Sequence, residues 1–239
     1  MRDGSGRWLP TQWQELMRLT LRAVDSITTA GEPAPGWTFG GGTALALDLG
    51  HRFSYDIDAF LDSAKLIQKL APVINPVTRS ICWNDETLRP DYQYPGHYLK
   101  LIVKGIGEID FLGASPLLQD AITPLEFEGR TIVRERPCEI IAKKIYLRGS
   151  TFKARDIFDL AGTYIALPAE LAQASSSPFL TPDIYSRVRI RIQARMKAFK
   201  EEIVEEVYPT DFGQSYIGDA CERALDALDF MEHGPRQSA

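Results

Sequence analysis

The sequence predicts an α+β protein, a mixed β-sheet flanked by helices and followed by a C-terminal helical domain. Three observations predict it. Short apolar runs bounded by Gly, Pro and polar residues are concentrated before position 136, as strands of a sheet are. From Cys138 onward the apolar residues repeat at the helical period instead. The chain has 239 residues, 44% hydrophobic and 25% charged, a globular composition with enough length to bury a core without disulfides or a structural metal. The segregation divides the sequence into an α/β domain over 1–136 and a helical domain over 137–239.

The elements follow in order. Residues 9–29 read as a helix, with Trp13, Leu16, Met17, Leu19, Thr20, Ala23 and Val24 on one face. Gly31 to Gly36 is a Gly/Pro loop. Trp37–Phe39 is a short strand, Gly40-Gly41-Gly42 a turn, and 43–49 a helix. Tyr55–Leu61 alternates in polarity as a strand does. Residues 63–71 are helical, with Ser63 as N-cap and Pro72 as the stop. Strands are expected at Ile81–Trp83, Tyr98–Val103, Glu108–Leu112 and Thr131–Val133, with Gly105-Ile106-Gly107 as a turn. A helical stretch runs from Cys138 through Ala166, a Ser/Pro loop covers 174–178, and helices occupy about 181–207 and 214–232. The tail from Gly234 frays.

Several classes are excluded by composition. Net charge is −5, so any nucleic-acid contact needs a local basic patch rather than bulk charge. Cys82, Cys138 and Cys221 are scattered and odd in number, and the three histidines are dispersed. That argues against a zinc site or a disulfide framework, and for reduced thiols in the cytoplasm. No apolar run approaches the ~20 residues of a membrane span. Met1–Pro10 lacks the apolar core of a secretory signal.

The densest chemistry lies between Phe39 and Phe60. Asp56 and Asp58 are two apart, which on a strand aims both carboxylates at one face. Like charges there repel unless a cation sits between them, and a pair of Mg²⁺ ions ~3.5–4 Å apart supplies one. Upstream, Gly41 and Gly42 let backbone N–H groups approach a phosphate at a helix N-terminus, and Thr43 adds a hydroxyl. Each pattern alone has a bland reading, a plain helix cap or a solvated strand. Only a short helix separates the two.

Gly41-Gly-Thr-Ala-Leu-Ala-Leu47, Gly50-His51-Arg52, Ser54 and Asp56-Ile-Asp58-x-Phe60 together resemble the AbiEii/AbiGii toxin family of polymerase-beta-like nucleotidyltransferases. The resemblance implies a minimal nucleotidyltransferase sheet with the glycine turn and the paired Asp residues at its active site. It implies a third metal-binding Asp, matched by Asp110 in Gly107-Glu-Ile-Asp-Phe-Leu112, although this chain has Glu108 where a Lys is commoner. The alternative for that segment is an exposed acidic strand edge. Two later family motifs are matched by Lys144 in Glu139–Ile145 and by Asp156 in Arg155-Asp-Ile-Phe-Asp-Leu160. Lys144 then carries triphosphate charge, and Asp156 orients Lys144 or a substrate group. Arg155 and Asp159, four apart, read equally well as a solvated ion pair. Arg52 reads equally as a phosphate contact or a solvated loop residue, and His51 as a structural residue of the loop. Ser54 reads as holding the backbone before the Asp strand. The last ~80 residues match no motif. They contain a basic run in which Arg187, Arg191 and Arg195 align, either as a ridge for RNA phosphates or as a solvated face balanced by Glu201, Glu202, Glu205 and Glu206.

The expected activity is transfer of an NMP from an NTP to an acceptor hydroxyl with release of pyrophosphate. The expected cofactor is two Mg²⁺, or Mn²⁺, on Asp56, Asp58 and Asp110. Nucleotide-binding residues are Gly41, Gly42, Thr43, Arg52 and Lys144, and the catalytic set is Asp56, Asp58, Asp110, Lys144 and Asp156. The resemblance implies the toxin of a bacterial toxin–antitoxin pair, an RNA acceptor such as the tRNA 3′ end, and a cognate antitoxin as partner. The alternatives are a small-molecule (antibiotic-type) nucleotidyltransferase and a non-catalytic nucleotide-binding module.

Overall fold

A computed structural model describes residues 12–28 and 36–234. The start of the first expected helix, most of the Gly/Pro loop (31–35) and the tail beyond Gly234 lie outside the described residues. The chain divides into two compact units: residues up to Thr43 with 54–115 and 124–134, and 44–53 with 116–123 and 135 onward. The units change over between 134 and 135, and the earlier segments 44–53 and 116–123 belong to the second unit.

In the first unit, α1 (Gln12–Asp25) buries Leu16, Met17, Thr20, Ala23 and Val24 and packs on the sheet. The order along the chain is β1 (Trp37–Gly40), α2 (Gly41–Leu49), β2 (Ile57–Leu61), α3 (Ala64–Lys69) and α4 (Pro76–Ile81). The Ser63 side chain caps α3 by accepting from the Lys65 amide. Helix α4 replaces the strand expected to begin at Ile81. Asn75 accepts from the Val77 and Thr78 amides and Pro76 fills the first turn, a start signal that outweighs the short apolar run. Only β3 (Trp83–Asn84) remains extended there, paired with β4 (Arg89–Pro90). The main sheet is completed by β5 (Tyr92–Gln93), β6 (Tyr98–Val103), β7 (Gly107–Gly113), β8 (Ile122–Phe127) and β9 (Arg130–Glu135), in the order β5-β6-β7-β2-β1-β9-β8. Strand β8 was not expected from the sequence. Pro124 lies within it, which an edge strand tolerates.

The register positions the site. Strand β2 runs parallel to β7 with Asp58 opposite Asp110. Strand β1 is antiparallel to β2 with Gly40 opposite Asp58, and β6 is antiparallel to β7 with Lys100 opposite Asp110. Ile57, Ala59, Leu61, Leu99, Leu101, Ile109 and Phe111 are all buried. By the period of two, Asp58, Asp110 and Lys100 then share the other face.

The second unit is built from α5 (Pro137–Arg148), α6 (Ala154–Ala166), α7 (Pro168–Ala174), α8 (Pro182–Ala194), α9 (Met196–Glu206), α10 (Asp211–Gln214) and α11 (Ala220–His233). The expected run from 138 to 166 is broken at Gly149, where φ is +40°, and the run over 181–207 is broken at Arg195. The buried series Val188, Ile192, Phe199, Ile203 keeps helical phase across that break, so periodicity alone does not reveal it. Cys82, Cys138 and Cys221 are buried free thiols. Among the described residues no helix is long and apolar enough to cross a membrane.

Candidate active site

The first unit brings the glycine turn onto the carboxylates. Gly41 opens α2 with φ +70°, and a Cβ built there would overlap the Asp58 carboxylate. That approach requires glycine both for backbone and for space. The Thr43 hydroxyl donates to the Asp56 carbonyl at 2.6 Å and lies 2.9 Å from Ser54 Oγ. This buried hydroxyl therefore fixes the segment that leads into β2. Asp56 Oδ1 accepts from the Glu108 amide at 3.0 Å, which ties the residue before β2 to the start of β7. Asp110 faces Asp58 across the parallel pair. Burial and the neighbouring Asp58 charge push the Asp110 carboxyl up to about 6, while Lys100 pulls the other way. Asp110 Oδ1 is buried without a hydrogen-bond partner, and Lys100 Nζ lies 3.2 Å from Oδ2.

Hard carboxylate oxygens in register, one of them unsatisfied, suit a divalent cation. Among the described residues no three Asp, Glu, His or Cys side chains are already gathered as a ligand set. The sequence placed Asp56, Asp58 and Asp110 together. The structure gives Asp58 and Asp110 as neighbours, with Asp56 beside them on a backbone amide.

The second unit holds a buried ion network of its own. Asp159 is fully buried and accepts from Arg52 Nε at 2.6 Å, Arg52 Nη2 at 3.0 Å and His51 Nε2 at 2.7 Å. Lys144 Nζ lies 3.0 Å from Asp159 and 2.7 Å from Asp156, which Arg148 also contacts. Asp156 closes the first turn of α6 by accepting from the Lys153 amide at 3.0 Å. Burial alone would raise the Asp159 carboxyl, but the charges of Arg52 and Lys144 hold it well below the usual range. Asp156 is lowered in the same way by Lys144 and Arg148. Burial lowers His51, against the pull of Asp159. Two expectations are corrected here. Arg52 is not a solvated loop residue, and Asp159 is not on a solvated face paired with Arg155, which is exposed. The charge of Arg52 arrives from a segment about a hundred positions away, so local i, i+4 logic misses it.

A family model for the nucleotidyl transferase AbiEii toxin of type IV toxin–antitoxin systems matches residues 23–174. The chain belongs to the AbiEii nucleotidyltransferase toxin family. Among solved structures, the chain is similar to the nucleotidyltransferase toxin MenT4 of Mycobacterium tuberculosis, at 15% identity over 93% of each chain with a TM-score of 0.44. It is also similar to an antigenic nucleotidyltransferase-like protein from Paracoccidioides brasiliensis, at 14% identity over 80% of this chain and 94% of that one, again with a TM-score of 0.44. No curated protein sequence matches it.

One neighbour of the carboxylates in this AbiEii nucleotidyltransferase is not evident from its sequence. Lys100 pairs with Glu108 as well as Asp110, yet in Tyr-Leu-Lys-Leu-Ile-Val it reads as an ordinary outward strand lysine. Only the β6–β7 register reveals its neighbours. The basic run after residue 186 is largely neutralised. Arg187 pairs with Asp183, Arg189 with Asp229 and Glu232, Arg195 with Glu202, and Lys200 with Glu222. Arg191 and Arg195 lie over the Phe199 ring.

Proposed function

We propose that this AbiEii toxin is a divalent-metal-dependent enzyme that moves an NMP from an NTP to a hydroxyl on an RNA acceptor, the 3′ end of tRNA. It acts in the cytoplasm and is restrained by a cognate antitoxin. The observation that carries the reading is the register that sets Asp58 beside Asp110, with Gly41 closed against the Asp58 carboxylate.

The first amides of α2 have no partner within the helix. Those at Gly41, Gly42 and Thr43 are the donors for triphosphate oxygens, favoured by the positive end of the helix. Asp58 and Asp110, with Asp56 next to them, would hold Mg²⁺ or Mn²⁺. Bound there, the ion supplies charge against the phosphates and lowers the pKa of an acceptor hydroxyl. The protein's own part is positioning. Thr43 and Ser54 fix the approach to β2, the Glu108 amide fixes Asp56, and the strand register fixes Asp58 against Asp110. Arg52, Lys144 and Asp156 spend their charges in the helical network, so we assign them to its rigidity rather than to the leaving pyrophosphate.

The test incubates the full chain with each α-labelled NTP, Mg²⁺ and total cellular RNA, beside Asp58→Asn and Asp110→Asn. The expected result is label on RNA with the wild type and a loss of about 10³-fold in either variant, the size of several kcal/mol of lost charge stabilisation. Full transfer by either variant sinks the reading. Label on a small-molecule panel instead of RNA moves the acceptor to the antibiotic class, and NTP binding without pyrophosphate release returns a non-catalytic module.

A further inference from the structure

We propose that Lys100 is the positioning residue for the site carboxylate Asp110: anchored by Glu108, its ammonium holds Oδ2 and leaves Oδ1 as the oxygen for a cation. The inference rests on the metal-site reading above and deepens it. Four observations carry it. Lys100 stands directly opposite Asp110 in the antiparallel β6–β7 pair. Its Nζ touches Glu108 and lies 3.2 Å from Asp110 Oδ2. The other oxygen, Oδ1, is buried with no hydrogen-bond partner. Glu108, in turn, has its backbone amide committed to Asp56 Oδ1, so the element that anchors Lys100 also fixes the neighbouring carboxylate.

The arrangement gives the acidic residue at 108 a role. Glu108 adds negative charge beside the carboxylates, but that charge is spent on Lys100. The ammonium is thereby held on one side of Asp110 rather than left mobile. Contacts that orient a ligating carboxylate are worth about 10–100-fold in metal affinity.

The sign of the effect separates this role from that of a mere counter-ion. Removing a positive charge next to a cation site strengthens cation binding if charge is all that matters. Removing an orienting donor weakens it. The experiment measures Mn²⁺ binding to the full chain without nucleotide, by the loss of the free-ion electron paramagnetic resonance signal. It compares wild type, Lys100→Met, Lys100→Arg, Glu108→Gln and Asp110→Asn, each checked for native circular dichroism. The expected result is Mn²⁺ binding that Asp110→Asn abolishes and that Lys100→Met weakens about 10-fold or more. Lys100→Arg restores part of it, and Glu108→Gln, which leaves the lysine but loosens its anchor, weakens it less than Lys100→Met. Tighter or unchanged binding in Lys100→Met overturns the positioning role and leaves the metal site standing. Wild type that binds no Mn²⁺ through Asp110 overturns both.

Discussion

Gly41 combines two separate demands. Its φ of +70° lies in the left-handed region, and its missing Cβ is where the Asp58 carboxylate sits. Gly50 has a φ of +58° but meets open space, so the two glycines separate strain from collision. Gly50→Ala is expected to lose about 1–3 kcal/mol of stability through the backbone alone and to keep nucleotidyl transfer. Gly41→Ala is expected to lose at least as much stability and, because Asp58 must move, most of its transfer activity as well. Urea denaturation followed by tryptophan fluorescence, with transfer measured on the same preparations, checks both. Equal activity in the two variants would mean that the Gly41–Asp58 approach does not matter. At this scale the sequence was informative, since Gly-Gly-Thr and Asp-x-Asp mark positions whose chemistry is local. It was least informative for Arg52 and Asp159, whose partners are remote in the chain and whose burial no local pattern announces.

The connection from α2 to β2 shows how an element is held by one hydroxyl. Thr43 sits in the first turn of α2 and donates to the Asp56 carbonyl beside Ser54, so the helix start and the residue before the strand move together. Thr43→Val keeps the shape and removes the donor, leaving a carbonyl without this partner. The expected cost is about 1–3 kcal/mol, accompanied by lost transfer activity, while Thr43→Ser recovers both. A valine variant with wild-type activity would show that the tether is dispensable. Elements were legible where a single period ran without interruption: α1, β6 and β7 fall where helical spacing or alternation places them, whereas β2 begins at Ile57, two residues later than the alternation places it, and leaves Asp56 outside the strand. Helix α4 was missed because its signal lies in the cap, Asn75 with Pro76, rather than in apolar spacing. The break at Arg195 was missed because the buried face stays in phase across it, and the break at Gly149 because it rests on a single glycine at positive φ. Lys100 was missed because strand register, a relation between two elements, is not written in either one.

The molecule as a whole carries a net charge of −5 but does not spread its charges evenly. In the helical unit, side chains from positions 51–52, 144–148 and 156–159 converge on two buried carboxylates, so three distant segments depend on the ionisation of one cluster. Breaking such a cluster from one side costs about 3–5 kcal/mol, because the remaining charges stay buried without compensation, and Asp159→Asn is expected to lose that much. The same cluster makes stability depend on pH. His51 is buried, donates Nε2–H to Asp159 and has no partner for Nδ1, and burial lowers its pKa from the ordinary value. The folded state therefore binds fewer protons than the unfolded chain below about pH 6.5. His51 contributes stability that is fully present above that pH and is lost as pH falls through its lower folded value, at up to about 1.4 kcal/mol per pH unit. Asp156 and Asp159, both lowered, add a second loss below the usual carboxylate range. Urea midpoints of wild type and His51→Gln measured from pH 8 to pH 5 test the first loss. Glutamine keeps an N–H donor and does not titrate, so the variant starts less stable and the gap narrows as pH drops below about 6.5. Parallel curves would mean that His51 does not couple protons to the folding of the helical unit.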